Sequence, residues 1–181
     1  MNDNPKVSVI IPTYNREKLV VDAIQSVLYQ NYDDYEIIVV DDGSIDNTKS
    51  VVQNLSDKYP SKIRYVYQDN EGCYSARNKG LKFSTGEYVS ILDSDDIWLP
   101  VFLDVMVKAL DSNPDYGMVY CTELDYDTNS NVLTPRFHKY RSGKLLKEMV
   151  FRELHIYHGS CLIRSQCFDK IGVFNSNFRT S

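Results

Sequence analysis

The chain has 181 residues, 43% hydrophobic and 25% charged, which suits one domain able to bury a full core. A net charge of −5 without a Lys/Arg run argues against nucleic acid, whose binding is driven by phosphate neutralisation. No stretch approaches the ~18–20 apolar residues of a membrane span, and Met1 to Lys6 does not open a signal peptide, so a cytoplasmic address is expected.

Val7 to Ile11 is a short β-branched run that reads as a buried strand stopped by Pro12. From Arg16 to Tyr29, Leu19, Val20, Ala23, Ile24, Val27 and Leu28 recur at helical spacing. Tyr35 to Val40 predicts a second strand, left through Asp41-Asp42-Gly43-Ser44. A helix follows with Val51, Val52 and Leu55, capped by Asp46 or Ser44 and ended by Pro60. Ile63 to Tyr67 is the third strand, Ser75 to Phe83 its helix, and Tyr88 to Leu92 the fourth strand. After the acidic loop Asp93-Ser94-Asp95-Asp96, Pro100 opens a helix with Phe102, Val105, Met106, Ala109 and Leu110 facing inward.

Four strand–helix repeats up to residue 114 predict an open, mostly parallel α/β sheet flanked by helices, because crossover helices make consecutive strands parallel. Beyond it the pattern loosens. Gly117 to Cys121 reads as a strand, Asp127 to Asn131 as a turn and Val132 to Tyr140 as an extended arm. Lys144 to Leu154 reads as helical, Ser160 to Ile163 as a strand and Gln166 to Ile171 as a helical turn or two. Cys73, Cys121, Cys161 and Cys167 lack zinc spacing and read as reduced thiols.

In such a sheet ligands bind outside the carboxyl ends of the strands. Those ends carry Pro12-Thr13-Tyr14-Asn15-Arg16, Asp41-Asp42-Gly43-Ser44, Asp69-Asn70 and Asp93-Ser94-Asp95-Asp96, whereas the opposite ends read as bland. Three carboxylates within four residues repel one another, and a divalent hard cation relieves that repulsion. The plainer alternative is an acidic turn capping the next helix. Asp42 or Asp41 could accept the N3–H of a pyrimidine or a ribose hydroxyl, or simply make a turn. Tyr14 could stack on a base. Arg77 could hold a phosphate or lie on the surface. No Gly-x-Gly-x-x-Gly follows the first strand and no P-loop is present. The histidines, His138, His155 and His158, fall in the irregular third and favour structural or acceptor-side roles over a metal site.

Val9-Ile10-Ile11-Pro12-Thr13-Tyr14-Asn15, Ile38-Val39-Val40-Asp41-Asp42-Gly43-Ser44, Ala76-Arg77-Asn78-Lys79-Gly80, Gly86-Glu87-Tyr88 and Leu92-Asp93-Ser94-Asp95-Asp96 together resemble the family 2 glycosyltransferases. Cys161-Leu162-Ile163-Arg164 and Ile171-Gly172-Val173-Phe174 extend the likeness to nearly the whole chain. The resemblance implies the GT-A fold, a nucleotide-diphospho-sugar donor, most simply a UDP-sugar, and inversion during transfer to a saccharide or lipid-linked acceptor. It implies donor contacts at Pro12, Thr13, Tyr14, Asp42, Arg77, Asn78, Asp93 and Ser94, and Mn²⁺ or Mg²⁺ on Asp95 with Asp93. It divides the chain into a donor part, 1–114, and the start of an acceptor part, 115–181. It places the base, an Asp or Glu, beyond Ser181, so that the chain by itself is expected to transfer poorly. Peripheral attachment to the inner membrane face is expected through segments outside this chain.

A phospho-receiver needs its acidic pair after the first strand, and a sugar nucleotidyltransferase needs a Gly-rich phosphate loop. Neither is present. The remaining rival is a nucleotide-binding module without transfer activity.

Overall fold

The computed structural model describes residues 4–136, 141–145, 149 and 156–177. Strands β1 (Val7–Thr13), β2 (Tyr35–Asp41), β3 (Ile63–Tyr67) and β4 (Tyr88–Ile91) alternate with helices α1 (Leu19–Leu28), α2 (Thr48–Lys58), α3 (Cys73–Phe83) and α4 (Phe102–Asp111). They are followed by β5 (Met118–Tyr120), β6 (Glu123–Asp127), β7 (Val132–Arg136), a 3₁₀ turn (His158–Ser160), β8 (Cys161–Arg164) and α5 (Ser165–Ile171). The main sheet has the order β3-β2-β1-β4-β8-β5. β1 to β4 are mutually parallel, as the repeats predict, while β8 lies antiparallel to both β4 and β5. β6 and β7 form a separate hairpin, its turn at the expected residues.

The central strands are apolar on both faces because helices cover both, and strand periodicity divides the core in two. Val7, Val9 and Ile11 of β1, with Ile37 and Val39 of β2, meet Val20, Ile24 and Val27 of α1 and Leu103 and Leu110 of α4. The alternate residues Ile10, Ile38 and Val40 meet Ala76 of α3, with Leu81 and Phe168 against them. Gly80 lets α3 approach, since a Cβ there would stand 2.3 Å from Ile10 Cγ2.

Pro12 does not stop β1, which runs through it to Thr13 with Pro12 opposite Val40. The Ile10 carbonyl accepts from Leu92 N, so Pro12, two residues on, also faces β4. Having no N–H, Pro12 donates nothing there, and the β1–β4 ladder ends at Ile10 opposite Ile91. Pairing between β1 and β4 therefore ends before the carboxyl end of β1, the side on which a ligand cleft in this kind of sheet belongs.

The helix expected over 144–154 falls mainly outside the described residues. The edge opposite the strand carboxyl ends is not bland: Lys6 pairs with Glu87 and Asp111, and Arg164 with Glu87 and the Tyr88 hydroxyl. None of the cysteines forms a disulfide, and burial pushes the Cys161 thiol up to about 12.

Candidate active site

The loops leaving β1 and β2 brace each other. Asn15, at φ 51°, receives Ile45 N on its side-chain oxygen and gives its own N–H to Ser44 Oγ, while Arg16 N donates to Thr48 Oγ1. Thr13 ends β1 buried, and its Oγ1 has no hydrogen-bond partner among the described residues. Tyr14 next to it is exposed, its ring available for stacking.

Asp41 and Asp42 divide into two roles. Asp41, fully buried, accepts Ser44 N and the Tyr65 hydroxyl and is part of the framework. Asp42 Oδ1 accepts Gln68 Nε2 at 2.7 Å and Glu71 N at 2.9 Å, and Oδ2 accepts Gly72 N at 2.9 Å. Asp42 thus orders the β3–α3 loop, and Oδ2, with a single bond made, retains capacity for another donor. Gly43 makes the arrangement possible, because at φ +83° a Cβ would stand 2.8 Å from Asn70 N.

The acidic loop after β4 does not splay three equivalent carboxylates. Asp93 points inward, its Oδ1 receiving Arg77 Nη2 at 2.9 Å and its Oδ2 lying 2.8 Å from both the Tyr157 hydroxyl and His158 Nε2. Asp96 also points inward, 2.7 Å from the Tyr157 hydroxyl. Asp95 is half-exposed and makes a long, 3.5 Å ion pair with Arg16. Ser94 between them is buried. Arg77 and His158 relieve part of the repulsion in the loop, which corrects the expectation that this falls to a cation.

Electrostatics follow this split. Burial alone would raise Asp93, but the hydrogen bond and charge of His158, the Arg77 guanidinium and the Tyr157 hydroxyl hold it well below the usual carboxylate range. Burial raises Asp96, with the Asp93 and Asp95 charges adding to it against the Tyr157 hydrogen bond. The Tyr157 phenol is raised by burial and then by its two carboxylates. One hydroxyl proton serves one carboxylate, so Tyr157 donates to the more anionic Asp93 and accepts from Asp96 when Asp96 is protonated. His158 Nε2 also lies 2.7 Å from Arg77 Nη2. If it donates to Asp93 it cannot at the same time accept from the arginine.

Arg77 is buried and not a surface residue, with its guanidinium against the Tyr74 and Phe174 rings and Nε unpartnered. Asn78 holds the segment that supplies Phe174: its amide donates to the Phe174 carbonyl and accepts the Phe174 N–H, at 2.7 and 2.9 Å. Sequence reasoning missed Tyr157 and gave His158 no carboxylate, since its partner lies 65 residues away in the chain. The missing signal is β8, whose position beside β4 carries the preceding turn to the acidic loop. His138 and His155 lie outside the described residues.

Among the described residues no three His, Cys, Asp or Glu side chains are placed to hold a metal by themselves. The donor chemistry still fits a hard cation, since Mg²⁺ typically takes one or two carboxylates and completes its shell with phosphate oxygens and water. Asp95 presents such a carboxylate, two residues from the anionic Asp93.

Comparison with known proteins agrees with this layout. An uncharacterised glycosyltransferase of Rickettsia typhi is 38% identical over 182 residues, covering 97% of this chain and 55% of its own. The GalNAc(5)-diNAcBac-PP-undecaprenol beta-1,3-glucosyltransferase of Campylobacter jejuni is 43% identical over 118 residues, 64% of this chain and 37% of its own. The chain spans 30% to 55% of the length of four of the curated relatives it matches. Among solved structures, S. aureus TarS 1–349 in complex with UDP superposes with TM-score 0.77 at 23% identity, over 97% of this chain and 52% of that one. The Pyrobaculum calidifontis mannosyltransferase PcManGT with GDP-Man and Mn²⁺ gives TM-score 0.73 at 23% identity, over 97% and 49%. The pattern of glycosyl transferase family 2 covers residues 8–172, and the chain belongs to that family, with its GT-A fold.

Proposed function

We propose that this chain binds a nucleotide-diphospho-sugar, most simply a UDP-sugar, and serves its inverting transfer to a saccharide or lipid-linked acceptor with Mn²⁺ or Mg²⁺ held at Asp95 and supported by Asp93. The observation that carries the reading is the division within the acidic loop: Asp93 and Asp96 are turned inward, and Asp95 is left presented at the edge that also carries Thr13 and Asp42. A cation held by Asp95 with Asp93 would supply Lewis-acid stabilisation of the departing nucleotide.

The chain's own residues supply the rest. Asp42 Oδ2 accepts the N3–H of the base, Tyr14 stacks on the ring, and Pro12 and Thr13 form the floor, where the unpartnered Thr13 Oγ1 takes a polar atom of the donor. Asp93, fixed as an anion, and Ser94 face the ribose and the cation's waters. Arg77 holds Asp93 in place, and Asn78 acts through its clamp on Phe174. Support comes from the solved relatives bound to GDP-Man with Mn²⁺, to UDP and to UDP-GlcNAc, and from the C. jejuni relative, whose name gives an undecaprenyl-linked acceptor. No described helix is long and apolar enough to cross a membrane. A cytoplasmic domain, peripheral to the membrane when its acceptor is lipid-linked, fits the same reading.

The test is a calorimetric titration of uridine, adenosine and guanosine diphosphates in Mn²⁺, followed by an assay of sugar transfer. One charge-assisted hydrogen bond supports roughly 1.5–3 kcal/mol, so UDP should bind about ten- to a hundredfold more tightly than ADP. Indifference among the nucleotides would remove the base role of Asp42. Tight donor binding with no transfer by the complete protein would instead favour a binding module.

A further inference from the structure

The acidic loop is held by a turn that none of the donor motifs contains. The Tyr157 hydroxyl stands 2.8 Å from Asp93 Oδ2 and 2.7 Å from Asp96 Oδ2, and His158 Nε2 stands 2.8 Å from Asp93 Oδ2. The turn is itself pinned to the sheet. Cys121 N donates to the Ser160 carbonyl, Ser90 Oγ to the Cys161 carbonyl, and Ser160 Oγ to the Tyr157 carbonyl. Trp98, just past the acidic loop, donates its indole N–H to the Gly159 carbonyl, so loop and turn are tied at two separate points. Gly159 leaves room for the Tyr157 ring within the turn, because a Cβ there would stand 2.8 Å from Tyr157 Cε1.

We propose that Tyr157 and His158 are positioning residues of the donor site: from the turn before β8 they fix the Asp93 and Asp96 carboxylates inward and so leave Asp95 as the carboxylate offered to the cation. Without the Tyr157 hydroxyl, Asp96 loses its hydrogen-bonded tether to Asp93 and is free to swing toward solvent and compete with Asp95 for geometry. Without His158, Asp93 Oδ2 loses one of its two donors. The donor site is then not confined to residues 1–114. The antiparallel insertion of β8 beside β4 makes residues 157 and 158 part of it.

This inference rests on the reading of Asp95 as the cation-facing carboxylate, and the experiment separates the two. UDP affinity is measured calorimetrically in Mn²⁺ and in EDTA for wild type, Tyr157→Phe, His158→Ala, His158→Gln and Asp95→Asn, with the melting temperature of each in EDTA. Loss of groups that orient metal ligands typically costs ten- to a hundredfold in metal affinity. Tyr157→Phe and His158→Ala should weaken UDP binding in Mn²⁺ by about that factor, with affinity in EDTA changed by less than about twofold. His158→Gln should recover much of the loss, since its amide N–H can still donate to Asp93. Equal losses in Mn²⁺ and EDTA, accompanied by a lower melting temperature, would mean a merely structural turn and overturn the proposal. A loss of the Mn²⁺ effect in Asp95→Asn but not in Tyr157→Phe would overturn the positioning role alone. No loss in either would overturn the cation reading beneath it.

Discussion

The two ends of β4 carry charged clusters of opposite design. At the end where the strand begins, Lys6 and Arg164 meet Glu87 and Asp111 around the Tyr88 hydroxyl, two cations against two anions. At its carboxyl end, three carboxylates meet Arg77, the distant Arg16 and a histidine, and one of the three is left outward. The first cluster is electrically closed and partly exposed, so it fastens β1, β4, α4 and β8 together and has nothing left to offer a ligand. The second is closed only on its inner side. Charge imbalance after internal pairing, and not the number of charges, separates a site from a structural clasp.

Breaking that contrast should give graded effects. Removing the inner cation is the most damaging: Arg77→Ala leaves Asp93 half-buried without its guanidinium, and breaking a buried pair costs about 3–5 kcal/mol. Since Asp93 is not fully dry, the lower part of that range is expected in urea unfolding, together with loss of donor binding. A change below about 1 kcal/mol would show that His158 and Tyr157 suffice to hold Asp93.

Gly43→Ala probes the site through the backbone. The added Cβ at φ +83° would meet Asn70 N, so a cost of about 1–3 kcal/mol is expected, with disruption of the Asp42 loop contacts. An unchanged melting temperature would mean that the β3–α3 loop yields freely.

The closed cluster should matter least. The Tyr88 hydroxyl and then Lys6 hold Asp111 below the usual carboxylate range. Its contribution is therefore present above the unfolded value of about 3.9 and is lost as pH falls through its folded value. Because the Asp111 side chain is about half exposed, Asp111→Asn should cost less than about 1 kcal/mol at pH 7, and that cost should shrink as the pH falls below about 3.9. A larger cost at neutral pH, or one that persists in acid, would show that the clasp works through packing.

The parallel half was legible because its signals are local. Periodicity in Leu19 to Leu28 and Phe102 to Leu110, and β-branched runs at Val7 to Ile11 and Ile37 to Val40, fix elements whose connections force the strands parallel. The strand ends then locate Thr13, Asp42 and Asp93 without any tertiary knowledge. What could not be read was long-range. Ser160 to Ile163 reads as a strand, but nothing local says that it inserts between β4 and β5, and hence nothing local brings Tyr157 and His158 to Asp93. The burial of Arg77 and the inward turn of Asp96 depend on those same contacts. Pro12 misled for a related reason, since its missing N–H matters only toward β4, where pairing ends anyway.

The most direct test of the central claim, that the cation is held at Asp95 with Asp93 behind it and not at Asp96, is UDP titration into Asp95→Asn and Asp96→Asn, each in Mn²⁺ and in EDTA. Among the described residues Asp95 has only a long surface ion pair to lose, so its variant should fold with wild-type stability within about 0.5 kcal/mol. It should nevertheless forfeit most of the Mn²⁺-dependent affinity, whereas Asp96→Asn, whose amide can still bond the Tyr157 hydroxyl, should keep most of it. Equal retention of the Mn²⁺ effect by Asp95→Asn and wild type, or its loss in Asp96→Asn alone, would contradict the account.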